Sequence, residues 1–306
     1  MAKKSPDLAL GPPIKFYNGD ITLKFSERDH IYYLVGQDDS LTVVDGVTTV
    51  CKIIDKSYYL MSWACKVMAA KLVQTVPRFS DILAGDFTES IPLEEFVRLT
   101  DEAKSAHKER LEDAGDVGTE AHRWLDNFIQ DAVAYQEGYA YKLDTHPLPE
   151  EPRAKKCVEA ALDWMGEHKV KWLRTEQKVF SREYLYAGTL DGLAEVDGKL
   201  SLVDWKTSNA VRGEYFMQTA AYIRAMEEEH NMNIGSCWIL RLGKEKGDFE
   251  DWHTGREEIE EDFTEFLLCL QLVRQNKQLE KRLAEAKKAR TAQKKLEKIL
   301  EKTQIV

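Results

Sequence analysis

Two neighbouring segments of the sequence carry charged residues in otherwise apolar surroundings. LYAGTLDGLAEV (185–196) contains Asp191, and KLSLVDWK (199–206) contains Asp204 and Lys206. Carboxylate oxygens are hard ligands that suit Mg²⁺ or Mn²⁺, and an ammonium group beside them can hold a water molecule or a phosphate oxygen. The three residues therefore predict a divalent-cation site that can act on a phosphate.

The turn between these segments sets the distance between the two aspartates. Asp197-Gly198 favours a two-residue type I′ turn, which pairs Val196 with Lys199 and brings the aspartates directly opposite each other. Carboxylates about 5 Å apart repel by roughly 3 kcal/mol at an effective dielectric constant near 20, and a bound dication would reverse this. Strand alternation places the lysine on the same face as the second aspartate. The alternative is ordinary edge-strand charges, which contribute ~0–1 kcal/mol.

The composition indicates a cytoplasmic protein with a substantial core. The 306 residues are 43% hydrophobic, enough for one large domain or two ordinary ones. The five cysteines include no CxxC pair, which argues against a structural zinc site or an iron-sulfur cluster. No apolar run reaches 18 residues, and the opening MAKKSPDLALGPP is too polar for a secretory signal, so we expect no membrane partner.

Charge is unevenly distributed along the chain. The formal net charge is −10, yet residues 277–302 carry ten Lys/Arg against four Glu, which leaves −16 for the rest. Such a basic arm could tether DNA electrostatically, with binding that weakens as salt rises. A solvated amphipathic helix is the alternative.

The order of predicted elements indicates an α/β fold with a mixed central sheet flanked by helices. A hairpin is predicted from ITLKF (21–25) and HIYYLV (30–35), and 144–153 reads as a linker. Helical periodicity recurs over 57–76, 93–113, 116–135 and 153–169. After the linker, three strands, a helix, two strands and a terminal helix are predicted at 171–180, 185–196, 199–206, 214–230, 236–242, 248–254 and from about Glu257.

Five short motifs stand in order between residues 118 and 222. They are GTEAH (118–122), Glu176 in a strand, GTLD (188–191), VDWKT (203–207) and QTAAY (218–222). A D-x-K triplet alone is a weak signal, whereas the ordered set resembles the successive motifs of RecB-type nucleases in the PD-(D/E)XK superfamily. This resemblance implies a restriction-endonuclease-like fold with a helical N-terminal elaboration. The implied nuclease domain covers 1–262, divided into 1–115 and a catalytic core at 116–262, and a basic helix follows at 263–306.

A further segment, VVDGVTTVCKIIDKSYYLMSWA (43–64), is similar to the phage and mitochondrial genome maintenance exonuclease branch. The resemblance implies a DNA exonuclease that uses one or two Mg²⁺ or Mn²⁺ ions in phage or bacterial recombination, replication or repair. Linear single- or double-stranded DNA is the implied substrate, and a single-strand annealing or binding protein is a further expected partner. A structure-specific or nicking endonuclease and a non-catalytic DNA-binding protein on the same scaffold are the alternatives.

The resemblance also implies roles for individual residues. The implied metal ligands are His122, Glu176, Asp191, Asp204 and the backbone carbonyl of Trp205. Lys206 would orient the attacking water and offset charge on the phosphate, with the three carboxylates completing the catalytic set. The alternatives are a helix-local pair of His122 with Asp126 or a hydrogen-bonded core histidine, a solvent-facing Glu176, and a salt bridge between Lys206 and Asp191.

Other residues of the motifs are implied to contact DNA. They are Thr119, Thr207, Ser208, Gln218 and Tyr222. The amides near Gly118, at the predicted N-terminus of a helix, would bind a phosphate together with Thr119. Gln218 would hold the loop at 207–208 with Tyr222 as a buttress, and core packing is the alternative for this pair.

Overall fold

The strands of the protein form one mixed sheet. A computed structural model describes residues 10–54, 57–75, 93–136 and 146–303. Within these ranges the strands are β1 Ile14–Phe16, β2 Ile21–Ser26, β3 Ile31–Val35, β4 Leu41–Gly46, β5 Val170–Ser181, β6 Tyr186–Val196, β7 Lys199–Lys206, β8 Ser236–Leu242 and β9 Phe249–Gly255. The helices are α1 Val47–Cys51, α2 Ser57–Thr75, α3 Leu93–Gln136, α4 Pro152–Glu167, α5 Gly213–His230 and α6 Arg256–Thr303.

The sheet divides in two along one edge of β6. The strand order is β1-β2-β3-β4-β6-β7-β8-β9, with the β4–β6 and β7–β8 pairs parallel and the others antiparallel. Because β5 pairs with β6 along its full length, β4 and β7 must share the opposite edge, where β4 meets 186–187 and β7 meets 192–196. The two strands diverge between these positions. This opening in the sheet leaves residues 188–191 of β6 without a strand partner on that edge.

Helices cover both faces of the sheet. On one face α3 and α4 pack over a core that includes Leu125, Trp164 and Trp205. On the other face α1, α5 and α6 pack over a core that includes Leu190 and Phe266. The predicted α/β class, with a mixed central sheet flanked by helices, is confirmed. No helix in the described ranges is long and apolar enough to cross a membrane.

Helix α3 is one 44-residue helix where two were predicted. The predicted break near Gly115 and the predicted helix start near residue 116 are wrong, because the chain continues in helical conformation through both Gly115 and Gly118. Glycine inside a helix costs about 1 kcal/mol relative to alanine. At position 118 glycine is required by close packing, because a Cβ there would lie 2.6 Å from Thr207 Oγ1. Glycine therefore lets α3 pass close to the end of β7.

Helix α6 packs on the core along its first half. Its buried residues are Ile259, Phe263, Phe266, Leu270 and Val273, and the side chains at 278–295 are all exposed. The predicted boundary between 262 and 263 falls within this packed part of the helix.

Asp45 of β4 forms ion pairs with α6 at the point where this helix leaves the core. Its carboxylate accepts hydrogen bonds from Arg274 Nε at 2.8 Å and from Lys277 Nζ. Arg274 also donates to the carbonyls of Tyr184 and Leu185, at 2.8 and 3.0 Å. Although burial raises the pKa of Asp45, the two cations outweigh it and hold the pKa below its usual range.

Asp45→Asn is expected to lower the free energy of unfolding by about 1 kcal/mol at pH 7, a small value because Arg274 and Lys277 are partly exposed. A lowered folded-state pKa stabilises the fold above the unfolded pKa near 3.9, and this contribution disappears as pH falls through the folded value. Urea unfolding of both proteins should therefore show a difference at pH 7 that begins to shrink near pH 4 and disappears only below the lowered pKa of Asp45. Asp39→Asn, at an exposed site, is the control. A difference that does not shrink as pH falls from 7 to about 2 would contradict the role of this ion pair.

Candidate metal centre

Three ligand-type side chains meet at the opening in the sheet. His122 comes from α3, Glu176 from β5 and Asp191 from β6, and one ligand atom of each lies within 4.8 Å of the others. His122 Nδ1 is 3.7 Å from Asp191 Oδ2. One imidazole and two carboxylates at this spacing can hold a divalent cation.

The β6–β7 hairpin places Asp191 through a main-chain hydrogen bond. The predicted register is confirmed from the Val196–Lys199 pair to the Gly192–Val203 pair, and the ladder ends one residue before Asp191. There the Asp191 carboxylate accepts the N–H of Trp205 at 3.0 Å. The side chain thus replaces a main-chain acceptor where β7 separates from β6, and this fixes one carboxylate oxygen at the site.

Glu176 has an unusual backbone conformation. Its φ of 45° lies in the left-handed region, which costs a non-glycine residue about 1–2 kcal/mol. The ladder pairs Thr175 with Gly192 and Gln177 with Leu190, so Glu176 stands across from Asp191 with the regular pairing interrupted on both strands. Strain of this kind collects at functional sites. The strained backbone coincides with the position where the Glu176 carboxylate joins the ligand group.

Asp204 is buried beside Lys206 and is not one of the three grouped ligands. The Asp204 side chain is 1% exposed, and Lys206 Nζ lies 2.5 Å from its Oδ2. Its Oδ1 has no hydrogen-bond partner among the described residues. A buried carboxylate oxygen without a partner is destabilising, and a cation would satisfy it. The structure therefore pairs Asp204 with Lys206 and groups Glu176 with His122 and Asp191, and the free oxygen of Asp204 fits a bound dication.

The carboxylates of the site are hard to ionise. Burial and the nearby charges of Asp191 and Asp126 raise the pKa of Glu176 to about 7. Burial raises the pKa of Asp204 to about 6, with Lys206 opposing the shift and Asp191 adding to it. The pKa of Asp191 is also raised by burial. Each shift has the sign expected of acids gathered in a poorly solvated site.

The pKa values of the two basic groups, His122 and Lys206, are shifted in opposite directions. Burial, followed by the charge of Lys206, lowers the pKa of His122 to about 4, so its imidazole is neutral near pH 7 and can act as a ligand. Burial alone would lower the pKa of Lys206, but the carboxylates of Asp204 and Asp191 outweigh it and the pKa is raised. Lys206 is therefore a permanent cation within the site.

Two residues without a predicted function support the ligand group from behind. Thr175 Oγ1 lies 2.9 Å from Asp126 Oδ1 and 3.0 Å from the carbonyl oxygen of Asp191. Asp126 is one helical turn after His122 on α3, so this hydroxyl connects the helix to β5 and β6. The sequence spacing suggested only a local pairing of Asp126 with His122, because the contact with Thr175 depends on the packing of distant elements.

Two clefts meet at the site. One has a volume of about 950 Å³ and the other about 530 Å³, and both are lined by Glu27, His122, Glu176 and Lys206. The larger cleft also contains Trp205, Thr119, Thr207, Ser208, Arg123 and Lys244. The smaller cleft also contains Asp191, Gln218, Tyr222, Lys52 and Lys178. The residues predicted to contact DNA are therefore divided between two cavities that share residues of the ligand group.

No protein-family model matches the chain, and no curated protein matches it. Among solved structures, the chain is similar to an alkaline exonuclease, LHK-Exo from Laribacter hongkongensis, with a TM-score of 0.26 and 14% identity over 52% of this chain and 93% of that chain. A structure of LHK-Exo in complex with dAMP gives a TM-score of 0.27 and 16% identity over the same shares. Values this low assign neither fold nor activity to the chain.

Thr119 does not lie at a helix N-terminus, and that prediction is wrong. Since α3 begins at Leu93, the residue is in mid-helix, and its hydroxyl donates to the carbonyl of Gly115 at 2.9 Å. His122 also lies well inside this helix. Thr119 still lines the larger cleft. A role for it in DNA binding would thus depend on its side chain and position, not on free main-chain amides.

Gln218 has a different partner from the one predicted. Its Nε2 donates to the hydroxyl of Tyr222 at 2.8 Å. Gly188 of the GTLD motif lies against the Tyr222 ring, where a Cβ would come within 2.3 Å of Cε1. Ser208, in the loop that Gln218 was predicted to hold, donates to the carbonyl of Ala210 at 2.8 Å. Gln218 and Tyr222 therefore shape the smaller cleft.

Proposed function

We propose that the protein is a metal-dependent DNA exonuclease. The observation that carries this proposal is a buried Asp204–Lys206 pair, with one carboxylate oxygen free, next to the His122, Glu176 and Asp191 group. The ordered motifs that contain these residues also support it. Acids with raised pKa values, one permanent cation and a neutral imidazole in a cleft form an arrangement suited to phosphodiester hydrolysis.

The residues that would hold the ion are the grouped side chains together with the free oxygen of Asp204. A bound Mg²⁺ or Mn²⁺ would supply Lewis-acid polarisation of the phosphodiester and stabilise the developing charge. Lys206, fixed by its carboxylate neighbours, can donate a hydrogen bond to a phosphate oxygen as negative charge accumulates there. Glu176 would bind a water coordinated to the ion, or a second cation, through its carboxylate.

The walls of the clefts carry side chains that suit a nucleic-acid backbone. Arg123 and Lys244 line the larger cleft, and Lys52 and Lys178 line the smaller one. Cations on both sides of an acidic centre can draw a phosphate chain across it, although the chain as a whole has a net charge of −10. Thr119, Thr207 and Ser208 would add hydroxyl contacts. The substrate we propose is therefore a DNA strand that crosses from one cleft to the other.

The exonuclease assignment is favoured over an endonuclease by the resemblance of residues 43–64 to genome maintenance exonucleases. The same resemblance supports a place in phage or bacterial recombination, replication or repair, in the cytoplasm. A single-strand annealing or binding protein is the partner we propose for that setting.

Digestion of end-labelled DNA tests the proposal. Linear single- or double-stranded DNA labelled at the 5′ or 3′ end is expected to be degraded progressively in Mg²⁺ or Mn²⁺ and to survive in EDTA, because the acidic centre needs its cation. A covalently closed single-stranded circle is the control and should stay intact. Cleavage of the circle would favour the endonuclease alternative. If linear DNA persists with both metals, hydrolysis itself is wrong.

A further inference from the structure

Helix α6 presents a row of leucines on the side facing away from the core. The exposed fractions are 63% for Leu268, 51% for Leu272, 49% for Leu279 and 52% for Leu283. With 3.6 residues per turn, spacings of four, seven and four keep these side chains within about a sixth of the helix circumference. The side chains that α6 buries against the core lie on the opposite side. Isolated exposed leucines are common, but an aligned row of four indicates an interaction surface.

The leucine row is symmetric about a single point. The spacing reads four, seven, four from either end, and its midpoint falls between Gln275 and Asn276. A two-fold axis that lies beside the leucine row, level with this point and perpendicular to the helix, would place Leu268 opposite Leu283 of a second copy and Leu272 opposite Leu279. A self-complementary patch of this kind is what a two-fold homodimer requires.

The charges of α6 follow the same symmetry. Residues 256–265 contain six acidic side chains and one arginine, whereas 286–295 contain five basic side chains and no acidic one. The same axis places these two segments opposite each other. Glu261 and Arg290, both exposed and both aligned with the leucine row, become direct partners. A parallel arrangement would instead place acid against acid, so the charge pattern selects the antiparallel one.

We propose that the protein forms a homodimer in which two α6 helices pack antiparallel along the leucine row. The core of each copy lies on the far side of its own helix, so the two bodies do not obstruct the contact. From Glu261 to Arg290 the paired segment is about 44 Å long at 1.5 Å per residue. The leucines form its apolar centre, and the opposite charges at both ends fix its direction.

Substitution within the row tests the apolar contact. In sedimentation velocity at about 100 µM, wild type is expected near twice the chain mass of 35.2 kDa, and Leu272→Glu near 35.2 kDa. Because the dimer is symmetric, the substitution is present in both copies, and two glutamates would be buried at the interface. Leu111→Glu, on α3 and 54% exposed, is the matched control and should remain dimeric. Circular dichroism checks that each variant is folded. A monomeric wild type, or a dimeric Leu272→Glu protein, would overturn the proposal.

A charge exchange tests the antiparallel register. Glu261→Arg and Arg290→Glu are each expected to weaken dimerisation about tenfold, because each replaces two attractions with two repulsions. The double variant, which restores opposite charges across the interface, should recover the wild-type dissociation constant within about threefold. If the double variant is as weak as either single variant, the antiparallel pairing is wrong. A face that binds only DNA or another protein would leave the purified chain monomeric, which also overturns the proposal.

Discussion

Lys206→Met is expected to reduce DNA cleavage by about 10²–10³-fold while changing the dissociation constant for DNA less than about threefold. The ammonium group is a permanent cation within the site, 2.5 Å from Asp204 Oδ2. Its removal takes away the charge that opposes negative charge accumulating on the phosphate, whereas contacts along the clefts remain. Single-turnover cleavage of end-labelled DNA and fluorescence anisotropy in EDTA measure the two effects separately.

Loss of Lys206 also leaves Asp204 buried without its counterion, so the stability of the variant must be measured alongside its activity. Lys199→Met, at the exposed start of the same strand, is the matched control and should cleave at the wild-type rate. A folded Lys206→Met protein with unchanged turnover would exclude the proposed role of the ammonium group.

Asp191→Ala is expected to abolish detectable cleavage and the stabilisation of the fold by Mn²⁺. Asp191 contributes to the ligand group and also accepts the N–H of Trp205, so its loss removes a ligand and loosens the strand end that carries Asp204 and Lys206. In wild type, metal at about 100 times its dissociation constant would add about 2.7 kcal/mol to the free energy of unfolding. Thermal unfolding with and without MnCl₂ measures this without reference to activity.

Glu195→Ala, at an exposed position of the same strand, is the control and should retain both properties. If Mn²⁺ raises the melting temperature of Asp191→Ala as much as that of wild type, the ligand group is not where the metal binds. If Mn²⁺ stabilises neither protein, the proposed centre does not bind the ion at all.

The hairpin of the site could be predicted because its determinants are local. The Asp197-Gly198 turn fixes the register of β6 and β7, and alternation then places Lys206 beside Asp204. These relations need no information from distant parts of the chain.

The features that could not be predicted depend on long-range packing or on backbone strain. Gly115 and Gly118 suggested an interruption in α3, but tertiary contacts carry the helix through both. No feature of the sequence predicts the positive φ of Glu176, the residue that contributes a carboxylate to the ligand group. The opening of the sheet follows from a parallel pairing between strands far apart in sequence, which local periodicity does not encode.

That parallel pairing also has a consequence for how the chain folds. The partners Asp45 and Tyr186 are separated by about 140 residues, so β4 has no neighbour on one side until more than half of the chain has been synthesised. Contacts between residues far apart in sequence slow folding. A strand edge that has not yet paired with its partner strand is prone to aggregation. The first hairpins therefore keep an unpaired strand edge while the nascent chain grows, and the β6–β7 hairpin can form before they dock.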